Sequence, residues 1–515
     1  MQRRAFLQSA PALALLATAA RAQEAEGVTE AEAAAAPPRP FGFDSLQELA
    51  RLRAGAPYKQ PLSELVGSFA NLNYDSYRAI RFRREADPWR EHPRFAMDIL
   101  PPGLIFYEPV QINLVDEEGA VSALPFLPHL LDFDPSQFPD GADMETVGDM
   151  GWSGFRLRMP LNRPDVQDEF LVFQGASYFR AIARETLYGL SARGLAINTG
   201  SPDGEEFPLF TDFWIHRPAD DADSVLIHAM LDSRSVAGAF QFLVTPGEVT
   251  RIATRVSLFP RVDLTGAGIA PLTSMFWFGP ASHVGIDDYR PRVHDSDGLQ
   301  MTTGAGQHLW RALSLPAKLQ ISDFVDENPR GFGLAQRPRD FAAYQDGEAR
   351  YDLRPSAWIT PRGDWGKGQV RLVEIPAENE FNDNIVSFWR PAEPLKAGAR
   401  HDFAYHLDFA PLPPAPAPLA MVRATMAGKA VNDRDGRSYV VDFDLDLFRD
   451  EMPEAQVSAS SGEVRHIHLR PLPEAGAMRL GFLFVPGKAA VADLQAVLTG
   501  PKGALSETWL ARWSR

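Results

Sequence analysis

The chain of 515 residues has no cysteine. That excludes disulfides, thiolate metal sites, iron–sulfur clusters and cysteine nucleophiles. Beyond the first twenty-two residues no run of eighteen apolar residues occurs, so no stable membrane insertion is expected of the mature chain. Neither Gly-x-Gly-x-x-Gly nor a Walker loop is present, which removes the usual phosphate cradles. His-Glu-x-x-His and acidic calcium loops are missing as well. His466 and His468 share one face of a strand-like segment and read as exposed strand residues. No metal and no cofactor is therefore expected. Positive charge is scarce: 51 Lys and Arg stand against 67 Asp and Glu, a formal net charge of −16. Nucleic acid and anionic membrane surfaces are poor partners for such a field, and a neutral substrate suits it better.

What is present begins with an export signal. Arg3-Arg4 precede Phe6-Leu7, an apolar stretch runs from Ala10 to Ala20, and Ala20-Arg21-Ala22 offers a small-x-small cleavage site. Adjacent arginines match the twin-arginine variant, with an ordinary Sec signal as the alternative. Residues 1–22 are expected to be the signal peptide. Residues 23–40, almost without bulky apolar side chains, are expected to form a flexible leader. The expected destination is the periplasm, where a chain this long builds its core without disulfides.

The body reads as mainly β. Pro (43) and Gly (39) are frequent, and short alternating runs at 154–160, 169–173 and 439–445 are bounded by turn residues. Helical patterning is confined to 45–50, opened by Asp44-Ser45 as a candidate N-cap, with 63–66 and a segment at 489–498. The proline run at 411–418 cannot hold a central strand and reads as a stiff spacer. The expected organisation is a large β-sandwich over 41–410, a Pro-rich linker at 411–422, and a small immunoglobulin-sized sandwich over 423–515.

Chemistry concentrates in two acidic clusters. Arg290-Pro-Arg-Val-His-Asp-Ser-Asp-Gly298 is one; the other runs from Glu374-Ile375-Pro376 to Glu380-Phe381-Asn382-Asp383-Asn384. Paired carboxyls beside aromatic rings suit glycoside cleavage, in which one protonates the leaving oxygen and the other activates water. An Asp-Ser-Asp-Gly loop is equally a solvated turn, so spacing alone leaves both readings open. Tyr351-Asp352-Leu353-Arg354-Pro355-Ser356-Ala357-Trp358 combines a phenol, a guanidinium and an indole, which is either an edge-strand pattern or a sugar-facing one. Gly189-Leu190-Ser191-Ala192-Arg193 lacks the second glycine of a nucleophile elbow and reads as a β-turn or substrate-facing loop.

Several long segments carry a family resemblance. They include Tyr74-Asp75-Ser76-Tyr77-Arg78, Gly175-Ala176-Ser177-Tyr178-Phe179-Arg180, Tyr188-Gly189-Leu190-Ser191-Ala192-Arg193-Gly194, Gly268-Ile269-Ala270-Pro271-Leu272-Thr273-Ser274, His294-Asp295-Ser296-Asp297-Gly298, Asp383-Asn384-Ile385-Val386 and Leu505-Ser506-Glu507-Thr508-Trp509. Together they resemble the periplasmic glucan biosynthesis proteins of the OpgG/OpgD (MdoG/MdoD) family over the whole mature chain, and the twin-arginine start is similar to the D branch. The resemblance implies a galactose-mutarotase-like sandwich followed by an immunoglobulin-like domain. It also implies work on osmoregulated periplasmic glucans, whose backbone is β-1,2-linked glucose, as an inverting endo-β-1,2-glucanase. A transglycosylase closing rings by α-1,6 linkage, or a non-catalytic scaffold for an inner-membrane glucan synthase, are the alternatives.

Carried over by motif, Asp383 becomes the general acid, Asp295 the general base, and Tyr351 part of a proton relay from the attacking water. Arg292, Arg354, Trp358, Tyr289, Glu380 and Tyr178 are expected to contact sugar. Asp383 is expected to have a raised pKa and Asp295 to stay ionised; Asp297 is expected to be a turn carboxylate. A mobile lid is expected near 321–338. The chain departs from many relatives at Ile99-Leu100-Pro101-Pro102-Gly103, where they carry Phe-His-Pro-Gly.

Overall fold

Alternation of side chains along each strand builds two large facing sheets. In the antiparallel pair Gly154–Met159 and Asp168–Gln174, Phe155 lies opposite Phe173 and Leu157 opposite Leu171 on the buried face. Arg156 and Val172 take the other face. The structure, a computed structural model, describes residues 40–515 apart from 145–146, 416–417, 432, 434 and 449–451. The expected signal at 1–22 and all of the leader but Pro40 lie outside the described residues, as do two positions of the 411–422 linker.

Among the described residues the front sheet has ten strands, nine on one path and Leu195–Ile197 paired beside Ala267–Ser274. Its path runs Ala96–Leu100, Gly154–Met159, Asp168–Gln174, Tyr178–Ala181, Ser191–Arg193, Ala267–Ser274, Ile385–Pro391, Lys367–Glu374 and Gln320–Glu327. The back sheet has fifteen strands and is centred on the long strands Val225–Asp232, Val236–Thr245, Thr250–Pro260 and His401–Ala410. Rings from both sheets interlock between them: Phe173 stacks on Phe179 at 4.8 Å and meets Phe213 at 5.4 Å and Phe242 at 5.3 Å. The chain is thus a mainly β protein of sandwich type, held by aromatic and aliphatic burial between its sheets.

The first helix, Phe43–Ala54, covers the outer face of the back sheet. Phe43, Leu46 and Ala50 pack against Val115, Trp214, Met230, Ala239 and Phe259. Its N-cap is Gly42 with no side-chain cap, so Ser45 does not serve as one; Asp44 falls in the first turn, where the helix dipole favours an acid. Residues 63–66 are not helical. The segment at 489–498 is likewise no helix: Val491–Gly500 is a strand that buries Ala492, Leu494, Ala496 and Leu498 at every second position. Nor is 321–338 a lid. Gln320–Glu327 is an edge strand of the front sheet, Gly331–Ala335 a fully buried strand of the back sheet, and residues 328–330 cross between them.

After the proline-rich segment come a four-stranded sheet, Val422–Lys429, Arg437–Asp444, Ala477–Val485 and Glu463–Leu472, and strands that extend the back sheet. Thr508–Ser514 pairs in parallel with His308–Ala312 through Leu309 and Thr508. A buried ion pair reinforces this edge: both terminal nitrogens of Arg337 lie 2.7 Å from the carboxylate of Glu507, and the guanidinium stacks 3.6 Å over Trp310. No helix among the described residues is long and apolar enough to cross a membrane.

Candidate active site

The two expected catalytic carboxyls arrive from different sheets. Asp295 lies between a two-stranded ribbon, in which Phe276 pairs with His294, and the back-sheet strand Gly298–Thr302. Its amide donates to the Met275 carbonyl at 2.8 Å, and the amide of Asp297 donates to Ala335 at 2.7 Å. Between them Ser296 is buried, with its hydroxyl 2.8 Å from that of Ser274. Gly298 is required by packing, because a Cβ there would come 2.3 Å from the Trp310 ring. These contacts make the acidic loop a rigid connection rather than a solvated turn.

Asp383 comes immediately before the front-sheet strand Ile385–Pro391. Its neighbour Asn384 fixes the approach. The Asn384 amide nitrogen donates to the carbonyls of Phe276 (2.9 Å) and Ile375 (3.0 Å), and its Oδ1 accepts from the Phe276 amide at 2.8 Å. Phe276 belongs to the ribbon that carries the Asp295 segment, so one buried amide ties the two carboxyl-bearing loops together.

Arginines fill the space around both acids. Arg354 Nη1 lies 2.5 Å from Asp295 Oδ1 and its guanidinium lies 4.5 Å over the Tyr351 ring. Arg180, held by a 2.7 Å bond from Nε to Ser191 Oγ, places Nη2 3.9 Å from Asp383 Oδ2. Burial pushes both carboxyls above the usual range, while Arg354 and Arg180 pull each of them back down; Asp383 adds a further upward push on Asp295. Asp383 is thus raised, and Asp295, expected to stay ionised, is raised by burial as well. Asp295 is buried, at 4% exposure, whereas the Asp383 side chain keeps 30% open to water.

The cleft at Asp383 encloses about 570 Å³ and is walled by Phe106, Glu169, Gln174, Tyr178, Arg180 and Ser191. A second hollow of about 330 Å³, lined by Tyr77, Arg78 and Arg81, shares Glu169, Val172 and Gln174 with it. The outward face of the front sheet thus carries an extended groove. The departing segment at 99–103 leads into Ile105 and Phe106, which form part of its wall. A larger hollow of about 600 Å³ by the first helix, with Arg53, Lys59, Asp149 and Asp212, holds none of the expected residues.

The other expected residues divide. Tyr178 lines the cleft beneath Arg193, 5.0 Å from its ring. Tyr351 is buried at 2% exposure in a short 3-10 turn, and burial raises its phenol pKa. Arg292 is half-buried over Tyr344 at 5.7 Å, with Nε lacking a hydrogen-bond partner among the described residues. Tyr289 is 80% exposed. Glu380 is occupied by Arg290 at 2.6 Å. Trp358 is corrected outright: it is 6% exposed, and its indole fills the space over Gly331, where a Cβ would lie 2.4 Å away. The Asp297 carboxylate lies 3.7 Å from His294 Nε2.

Sequence reasoning missed Arg180, Arg290 and Asn384. Arg290 binds Asp288 and Asp346 at 2.8 Å as well as Glu380, so it clamps three loops around the site. Arg180 and Asn384 lay inside segments quoted for the resemblance, but nothing local marked them as partners of Asp383.

A β-sandwich bearing an extended surface groove with paired carboxyls and unusually many arginines is the class defined by fold and site. The model for the family "Periplasmic glucan biosynthesis protein, MdoG" matches residues 41–513, and the chain belongs to that family. It is 44% identical to "Glucans biosynthesis protein G" of Vibrio cholerae over 484 residues, 92% of this chain and 87% of that protein. To the protein of the same name from Rhodopseudomonas palustris (strain BisA53) it is 45% identical over 489 residues, 93% of this chain and 95% of the other. A Shewanella protein with that name shares 43% over 481 residues, covering 92% and 87%.

Proposed function

We propose that the protein acts in the periplasm in glucan biosynthesis and cleaves β-1,2-linked glucan within the chain, with inversion at the anomeric carbon. Family membership and relatives named for glucan biosynthesis support the setting. One observation carries the chemistry: Asp383 sits in the cleft wall beside Arg180, while Asp295 sits behind it, bonded to Arg354 and within the electrostatic reach of Asp383. Asp383, raised by burial, protonates the departing glycosidic oxygen. Asp295 takes the proton of the attacking water, with the Tyr351 phenol passing it across. The adjoining hollow at Tyr77 and Arg81 supports a polymeric substrate longer than one or two sugars. This chemistry uses no metal or cofactor. Twin-arginine export and a D-branch position belong to the same reading, although the relatives named above carry the letter G.

The burial of Asp295 favours a second reading. A base at 4% exposure admits little water, so another sugar hydroxyl can take the place of water and the outcome becomes transfer and ring closure. Incubation of the purified protein with linear β-1,2-glucan separates the readings. Shorter chains with inverted reducing ends support hydrolysis and cyclic products support transfer. A bound but unchanged polymer would refute both, leaving a scaffold that assists an inner-membrane glucan synthase.

A further inference from the structure

Gln336 follows the strand Gly331–Ala335 and has no solvent exposure. Its Nε2 donates to the carbonyl of His294 at 2.7 Å and to that of Tyr351 at 3.2 Å, while its Oε1 lies 2.8 Å from His294 Nδ1. Turning the amide over would set its oxygen against two carbonyl oxygens, so the orientation follows from the partners. With both amide hydrogens engaged, Oε1 is left to accept, and His294 must carry its proton on Nδ1. His294 Nε2 is then a bare lone pair, buried and without a hydrogen-bond partner among the described residues; Asp297 Oδ1 is 3.7 Å away.

The surroundings hold that state. Phe276 stacks on the His294 ring at 5.3 Å, Tyr344 meets it edge-on at 5.4 Å, and Arg292 adds unfavourable charge. Burial, followed by Arg292, lowers the His294 pKa to about 3, so the ring stays neutral. Gln336 is itself anchored. Its backbone N–H donates to Ser356 Oγ at 3.0 Å, and the next residue, Arg337, forms the buried pair with Glu507. His294 directly precedes Asp295, so the two carbonyls that Gln336 joins belong to the base-bearing segment and to the Tyr351 turn.

We propose that Gln336 is a positioning residue for the acid–base chemistry: one amide holds the Asp295 segment and the Tyr351 turn at a fixed separation and sets the tautomer of His294. The assignment rests on the roles given above to Asp295 and Tyr351. Displacements of about 1 Å at a reacting pair cost on the order of 10²-fold in rate, and a loosened bridge acts at that scale.

The test uses Gln336→Glu and Gln336→Met in the full chain. Both are expected to lower kcat on linear β-1,2-glucan by about 10²-fold with KM little changed. For Gln336→Glu the ratio of activity to the native chain should climb as pH falls. A protonated carboxyl regains a donor for the bridge and keeps an acceptor for His294, whereas Gln336→Met regains neither. Nitrogen-15 spectra of histidine-labelled native protein, assigned against His294→Gln, should show Nδ1 protonated and Nε2 bare. Native kcat and pH profile in both variants, or an Nε2-protonated His294 in the native chain, would overturn the proposal. If the native chain turns over no β-1,2-glucan, the functional reading fails, and the tautomer measurement still decides this one.

Discussion

Arg354 Nη1 stands 2.5 Å from Asp295 Oδ1 while the same guanidinium lies 4.5 Å from the centre of the Tyr351 ring. One cation therefore keeps a buried carboxyl ionisable and braces the phenol assigned to its proton relay. Arg354 pulls the Asp295 pKa down against burial. Removing it lets that pKa rise, so the base stays protonated to higher pH and the acid limb of the rate profile moves towards neutrality. Arg354→Ala is expected to lower kcat/KM by about 10²-fold or more, and Arg354→Lys to recover only part, because an ammonium does not reproduce the planar stack. An acid limb that stays in place in Arg354→Ala would refute this role.

Asp383 is expected to trade stability for chemistry. Its folded pKa is raised above the ordinary 3.8 by burial, with Arg180 and then Arg354 opposing. A carboxyl raised on folding favours the folded state most when protonated, and that contribution disappears as pH climbs through the folded pKa. At neutral pH the ionised group thus costs stability. Asp383→Asn should abolish turnover, by about 10²–10⁴-fold, yet melt at a higher temperature than the native chain at pH 7. The difference should shrink as pH falls through the raised folded pKa and be gone below the ordinary value of 3.8. Substantial remaining glucanase turnover would remove Asp383 from the role of acid.

The strands were legible where period two was unambiguous. Phe155 and Leu157 alternate with half-buried Arg156 and Arg158, Leu171 and Phe173 flank half-buried Val172, and both segments form strands. Residues 489–498 were misread because Ala492, Leu494, Ala496 and Leu498 are separated by residues that also suit a helix, and pairing with Glu454–Ala459 on one edge and Thr508–Ser514 on the other decides. At the site, acids and aromatics announced themselves by type. Asn384 and Gln336 did not, since an amide acquires meaning only from the carbonyls it meets. Those belong to residues 108 and 9 positions away for Asn384, and 42 and 15 positions away for Gln336. Trp358 failed for the opposite reason: an indole near an arginine looks like a sugar platform until Gly331 is found beneath it.

Arg290 binds Asp288, Asp346 and Glu380 with little solvent around any of them. Arg290→Ala leaves Asp346 and Glu380 partly buried without a cation, which costs about 3 kcal/mol. Because Glu380 is three residues before Asp383, the acid-bearing loop should also loosen. Hydrogen exchange over residues 376–383 should accelerate more than exchange in the core strand Val236–Thr245, and kcat should fall together with Tm. Equal acceleration in both segments would reduce Arg290 to a general stabiliser.

His216 Nε2 lies 2.9 Å from His228 Nδ1 beneath the first helix, where Phe43 stacks on His228 at 6.2 Å and Phe41 meets it edge-on at 5.7 Å. Burial and then His216 hold the His228 pKa down to about 4, with Gln241 opposing and Arg255 adding a further downward push. A histidine lowered on folding contributes stability that is complete above its unfolded pKa near 6.5, and this stability is lost as pH falls from there towards the folded value. The shift corresponds to roughly 3 kcal/mol, and protonation of the accepting nitrogen also breaks the hydrogen bond between the two rings. The helix Phe43–Ala54 covers this pair, so the protection of its amides, taken relative to the intrinsic exchange rate at each pH, should be lower at pH 5 than at pH 7. His228→Gln should flatten that difference while leaving the groove on the opposite sheet, and the glucan binding proposed for it, unchanged. A helix whose protection is indifferent to pH in the native chain would show that the histidine pair carries no such linkage.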